Sequence, residues 1–155
     1  MANEQFAFLA KSDVPDRTSW QAAIDDCGFD LILDPGLRPF EDAGFLPCRF
    51  RGRDSGFEIY YQDTSELDAL SEIAGAHDYC VSFRWGGDMT ECACVMIASY
   101  VLAKRFSAIV SYEGEPPAET LDQFLAETNS VIQEADSPRA PSVTVGATKP
   151  WWKFW

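Results

Sequence analysis

The chain holds a single histidine, His77, and no Cys-x-x-Cys spacing. His77 stands between Ala76 and Asp78 in an expected exposed loop, with no cysteine at a ligand distance in sequence. The usual patterns of a zinc site or a Cys–His dyad are therefore missing, and neither metal nor cofactor is expected. Cations are scarce: 12 Lys and Arg stand against 25 Asp and Glu, a formal net charge of −13. Phosphate contacts need Lys and Arg, so direct binding to DNA or RNA is disfavoured, and an anionic membrane surface would repel the chain. Long apolar runs are absent too. The longest nearly uncharged stretch, Cys92 to Ala103, is shorter than the roughly 20 residues that cross a bilayer. The opening MANEQFAFLAKSD has no basic n-region and no extended apolar segment, so no signal peptide is expected. These readings place a soluble protein in the cytoplasm. Its cysteines (Cys27, Cys48, Cys80, Cys92 and Cys94) are odd in number and lie inside expected elements. In that compartment they read as reduced, buried thiols.

Apolar residues make up 46% of the 155 positions and aromatics 14%, enough for a sizeable core. The stretch Tyr79 to Phe106 is its expected spine. Tyr79, Val81, Phe83 and Trp85 alternate with Cys80, Ser82 and Arg84, which is the pattern of a strand with one aromatic face. Gly86-Gly87 breaks the strand. Asp88 stands at a helix N-cap, with Glu91 at the capping-box spacing. Met89 to Phe106 is apolar on nearly every side, as in a buried helix.

Around this spine the other elements follow in order. Phe6 to Leu9 reads as a strand. Thr18 to Gln21 forms a capping-box pattern opening a helix whose Trp20, Ala23, Ile24 and Cys27 make one stripe, with Gly28 as its stop. Phe29 to Leu33 is a strand closed by Asp34-Pro35-Gly36. Leu37 to Pro47 reads as a loop rich in apolar residues. Cys48 to Arg51 and Phe57 to Tyr61 pair as a hairpin across the turn residues Gly52 to Gly56, with Arg49, Arg51, Glu58 and Tyr60 on the polar face. A short helix capped by Thr64 or Ser65 ends at Gly75. Ala108 to Tyr112 is a further strand. Leu121, Phe124, Leu125, Thr128, Val131 and Ile132 form the stripe of a last helix, opposite Glu119, Asp122, Glu127 and Glu134. The expected fold class is α+β: a mostly antiparallel sheet of about six strands with three to four helices packed mainly on one face. Residues 1–136 form that domain, and 137–155 are a flexible tail ending in the aromatic cluster Trp151 to Trp155. Those rings either fold back on the domain or dock into a partner.

None of the chemical side chains forms a catalytic set. Cys92 and Cys94, two apart on a helix, point to different sides. Gly86-Gly87-Asp88 resembles a phosphate loop in outline, yet Asp88 and Glu91 place two carboxylates where an anion would sit. Glu58 and Asp54 have no nucleophile or metal partner near them in sequence, and Ser55 and Ser82 have no base. The expectation is a protein that is not an enzyme.

The segments Ser82 to Cys94 (SFRWGGDMTECAC), Asp54 to Tyr61 (DSGFEIYY) and Trp20 to Leu33 (WQAAIDDCGFDLIL) resemble a group of small acidic bacterial immunity proteins directed against secreted polymorphic toxins, type VI effectors among them. The resemblance runs from Phe6 to Ala135. It implies a cognate inhibitor that blocks a toxin domain in the cytoplasm by stoichiometric protein–protein contact. The acidity fits a toxin domain with a cationic surface. Expected exposure and charge nominate three patches for that contact: Asp25 and Asp26; Phe40, Glu41 and Asp42; and Glu58 with Tyr60. The alternatives are a non-catalytic adaptor or homodimeric module, held together by the apolar loop or the aromatic tail, and a small enzyme of unrecognised activity.

Overall fold

The computed structural model describes residues 3–136, which form one six-stranded, wholly antiparallel sheet with four α-helices. The elements are β1 (Asn3–Leu9), α1 (Arg17–Asp26), β2 (Leu31–Leu33), β3 (Gly44–Phe50), β4 (Arg53–Asp63), α2 (Ser71–Ala74), β5 (Tyr79–Trp85), α3 (Met89–Phe106), β6 (Ile109–Tyr112) and α4 (Leu121–Asp136). Strand order is β2-β3-β4-β5-β1-β6. The expected α+β class, with helices mainly on one face, is what forms. The expected tail and its Trp151–Trp155 cluster lie outside the described residues.

The spine behaves as its pattern requires. On β5, Val81, Phe83 and Trp85 face the large core and Cys80 faces the other side. Asp88 caps α3, its carboxylate accepting from Thr90 N–H at 3.2 Å. Glu91 reaches further back and accepts from Gly86 N–H at 3.1 Å, so it pins the strand end and not the cap residue. From Cys92 to Leu102 every residue of α3 is buried, because the helix lies on the sheet with α1 along one flank and α4 along the other. The Ser99 hydroxyl, fully buried, is satisfied. Ser99 Oγ donates to Val95 O at 2.7 Å and accepts from the buried Gln5 Nε2 at 2.7 Å. Trp20 of α1, 1% exposed, donates its Nε1–H to Ala98 O at 3.2 Å.

Several boundaries differ from the sequence reading. Asp16 is the N-cap of α1, accepting from Ser19 N–H at 2.7 Å, and not Thr18. Gln21, read as the closing residue of a capping box, turns instead to the edge strand β2. Its Nε2 donates to Leu31 O at 2.7 Å and its Oε1 accepts from Leu33 N–H at 2.8 Å. One side-chain amide thereby mimics a peptide group of a seventh strand and covers the sheet edge. The hairpin is longer than expected. β3 begins at Gly44, so Phe45 to Pro47 are strand and not loop, and only Arg51-Gly52 turn the chain, both at positive φ (52° and 78°). Gly52 to Gly56 is therefore not the connection, and Arg51 leaves the polar face to pair with Asp136. Pro47 concealed this strand. It is tolerated because Asp34, opposite it, spends its carbonyl on Leu37 N–H at 3.1 Å and asks no donor of residue 47. The expected single helix after β4 is two 3₁₀ turns, Thr64–Glu66 and Asp68–Leu70, followed by the short α2.

The two faces of the sheet are unequal. Helices α1, α3 and α4 cover one face, with the loop carrying Leu37 and Phe40 packed over Tyr61 and Tyr79 at its end. On the other, only α2 and the turns before it pack down, setting Leu67, Leu70, Ile73 and Ala74 over Phe6, Phe8 and Cys80. Over the rest of that face, along β2, β3, β4 and the ends of β5 and β1, no helix of the described residues packs.

Candidate functional site

The uncovered half of the sheet is the candidate site. Strand register builds it row by row. Phe45 of β3 pairs with Glu58 of β4, Glu58 with Arg84 of β5, and Arg84 with Glu4 of β1. Glu4 N–H donates to Glu113 Oε2 at 3.2 Å, which adds a third carboxylate at the end of this row. Tyr60 and Ser82 form the next row, and Ile32, Arg49 and Asp54 another. Alternation requires this arrangement: Phe57, Ile59, Val81 and Phe83 fill the core, so their neighbours must face out.

Two apolar side chains stand out from this surface, Phe45 at 63% and Ile32 at 47% exposure. Phe45 does not project freely. Its ring lies against Gly56, where an added Cβ would meet Phe45 Cζ at 2.3 Å and Leu46 O at 2.6 Å. Gly56 is thus the floor on which the ring rests. The polar groups are tied into local pairs. Tyr60 Oη donates a short hydrogen bond to Glu58 Oε1, and this bond is the main reason its phenol titrates above the usual range. Arg84 Nε is sealed from water and lies 3.9 Å from Glu4 Oε2, with no hydrogen-bond partner of its own. Arg49 pairs with Asp54 at 3.3 Å, both largely exposed. The surface sets Phe45 beside Glu58 and Ile32 beside Arg49 among alternating charges, with a carboxylate on each side of Arg84.

The three patches read from sequence do not come together on one face. Glu58 and Tyr60 are on the open face. Asp25 and Asp26 lie on α1, on the opposite, helix-covered side. There Asp25 accepts from Gln21 Nε2 at 3.0 Å, and Asp26 pairs with Arg105 at 3.6 Å. Phe40 packs its ring at 5.8 Å from Tyr61 and 5.4 Å from Tyr79, with Lys11 Nζ 5.5 Å above it. Asp42 closes its own loop by accepting from Arg38 N–H at 2.8 Å, and Glu41 stays exposed 3.9 Å from Arg38. Sequence reasoning missed Phe45, Ile32, Arg84 and Glu4. The signal was present in Gly44 to Phe50, where Leu46, Cys48 and Phe50 alternate with Phe45, Pro47 and Arg49.

The buried thiols are poor nucleophiles. A hydrogen bond with Cys94, reinforced by burial, pushes the Cys48 thiol far up, and burial, with smaller contributions from Cys94 and Asp88, does so for Cys92. Burial raises Cys80 to about 12. All three stay protonated at neutral pH. His77 is half-buried rather than fully exposed, and no group of three His, Cys, Asp or Glu side chains among the described residues could hold a metal ion. Nor does any helix among them have the length and apolarity to cross a membrane. No family model, no curated protein and no solved structure matches this chain.

Proposed function

We propose that the chain is a stoichiometric inhibitor of the immunity type its sequence resembles, neutralising a secreted toxin domain in the cytoplasm by occupying a cationic surface of it. It works by contact, without turnover, and engages neither nucleic acid nor membrane directly. The observation that carries this reading is the sheet face free of helices among the described residues, where Phe45 stands exposed beside Glu58 in the row that runs on to Arg84 and Glu4, and Ile32 stands exposed beside Arg49. Exposed apolar side chains set among polar and charged neighbours are the anatomy of a protein contact. The net charge of −13 adds steering toward a basic partner.

The test is affinity capture from the native cell lysate with the tagged full chain at moderate salt, followed by activity assays on the captured protein. The expected result is one partner with a toxin activity that the chain abolishes at equal stoichiometry. Phe45→Ala and Glu58→Lys should release it, whereas Asp25→Lys and Asp26→Lys should retain it. A partner whose activity persists in the complex would overturn the reading. The same exposed Phe45 and Ile32 favour a second reading, a homodimeric module. Two like-charged acidic faces oppose it, and sedimentation across a hundredfold concentration range separates the two.

A further inference from the structure

The two edges of the sheet are finished differently. At β2 the Gln21 amide engages the outward-facing backbone, donating to Leu31 O and accepting from Leu33 N–H. The other edge is β6, where register decides which peptide groups face outward. Glu113 N–H donates to Glu4 O at 3.0 Å, and the pairing continues through Gln5 with Tyr112, Phe6 with Ser111, Ala7 with Val110 and Phe8 with Ile109. Antiparallel bonding alternates, so Ser111 and Ile109 bond to β1, while Val110 and Tyr112 turn their N–H and C=O away from it. Tyr112 O is used within the turn, accepting from Glu115 N–H at 2.8 Å. Val110 N–H and C=O have no partner among the described residues. An unpaired peptide group on a strand edge is a template for a further strand.

There is room beside this edge. Two cavities lie against β6, of about 480 Å³ and about 220 Å³. Val110, Pro117, Ala118 and Phe124 line both, so the two adjoin as one trough, with Ile109 at one end and Tyr112 at the other. The shared lining is apolar. Glu113 and Glu115 border the larger cavity and Glu119 the smaller, and no Lys or Arg lines either. The Val110 side chain faces the same core as Phe124. A residue paired with Val110 would point its own side chain to that face, over the apolar lining.

We infer that the β6 edge takes up an extended segment of another protein as an added antiparallel strand, one apolar residue of it exchanging both backbone hydrogen bonds with Val110 and a neighbouring Lys or Arg turned toward Glu113 and Glu115. Main-chain bonds supply affinity in such a contact, and the side chains at alternate positions supply selection. Charge complementarity fixes the kind of segment: the acidic border, in a chain of net charge −13, favours a basic one. A second copy of this chain is the poorer occupant, because it would bring Glu113 and Glu115 against their own equivalents. The contact lies at the opposite edge of the sheet from β2 and stands whether or not the open face binds a toxin domain.

The test is amide NMR and hydrogen exchange on the ¹⁵N-labelled full chain, with the acetylated and amidated pentapeptide Thr-Lys-Val-Lys-Thr as probe. In the free chain the Val110 amide should exchange about 100-fold faster than the Ser111 amide, which is bonded to β1. Millimolar probe should give saturable shifts at Val110 and slow its exchange about tenfold. The same peptide methylated on its central valine nitrogen cannot donate to Val110 C=O, and should slow nothing. Val110→Pro removes only an outward-facing N–H, a substitution an edge strand accepts, and with circular dichroism confirming the fold it should abolish the response. Glu115→Lys should weaken binding about tenfold. A Val110 amide as protected as Ser111 in the free chain would show the edge already closed and overturn the assignment. The absence of saturable shifts would do so too, as would an equal response to the methylated peptide, which marks contact without strand pairing. Protection of Val110 that falls on diluting the chain alone would place a second copy at the edge and equally overturn it.

Discussion

Gln21→Leu is the sharpest test of how this sheet is held at its β2 edge. The substitution keeps the side-chain size and removes both hydrogen bonds to the β2 backbone, to Leu31 O at 2.7 Å and from Leu33 N–H at 2.8 Å, along with the exposed-side bonds to Asp25 and from Arg17. Gln21 is only 9% exposed, so water does not simply replace the lost partners. Each buried backbone group left unpaired costs about 1–3 kcal/mol, while the leucine regains about 1–2 kcal/mol by transfer. The net loss should be about 2–4 kcal/mol. At this chain length each kcal/mol moves Tm by about 2–4 °C, so the midpoint should fall by about 5–15 °C. Urea unfolding monitored by circular dichroism measures the free energy, and native-state hydrogen exchange reads the Leu33 amide directly. That amide should lose its protection ahead of those of β1 and β5, which lie in the middle of the sheet. A loss below about 0.5 kcal/mol, with Leu33 as protected as before, would refute the view that one side-chain amide completes this edge.

Other substitutions probe the open face and the caps. Phe45→Ala should leave folding stability nearly unchanged. Covering the 63% of Phe45 now exposed would bury about 100–150 Å², or about 3 kcal/mol, so titration calorimetry with the captured partner should show about a 100-fold weaker Kd. Gly56→Ala brings a Cβ to 2.6 Å from Leu46 O, a backbone atom that cannot swing aside, and should cost about 1–3 kcal/mol in urea unfolding. The Ser19 amide holds the Asp16 carboxyl below its ordinary value. Its stabilising share is therefore complete above the unfolded carboxylate value, near pH 4, and is lost as pH falls through the folded value. Asp16→Asn should keep the cap at neutral pH and flatten that acid limb of the Tm-versus-pH curve. Tyr60 behaves oppositely: the hydrogen bond to Glu58 raises its phenol, so its share is present below pH 10 or so and disappears as pH rises through the folded value. Absorbance titration at about 295 nm should show Glu58→Gln bringing Tyr60 back toward the ordinary tyrosine range.

Local chemistry determined much of this protein from the sequence alone. The bounds of β5 and α3 follow from strict alternation up to Trp85, the Gly86-Gly87 break and the Asp88 cap, all of which act within a few residues. The Gly28 stop of α1, at φ 85°, and the acidic outer face of α4 are local in the same way. Element type depends on periodicity and capping, and both are written in consecutive residues. Tertiary structure decided the rest. The start of β3 was hidden by Pro47, whose missing N–H is harmless only because a distant residue, Asp34, makes no demand on it. Gln21 looked like a helix cap until β2 lay within reach of its amide. Above all, strand order chose which residues share a surface. Glu58, Arg84 and Glu4 are far apart in sequence and adjacent in the sheet, whereas Asp25 and Glu58, equally acidic and equally plausible in sequence, end on opposite faces. Pairing energies between strands depend on contacts that no short window of sequence contains, so the candidate surface could emerge only from the folded chain.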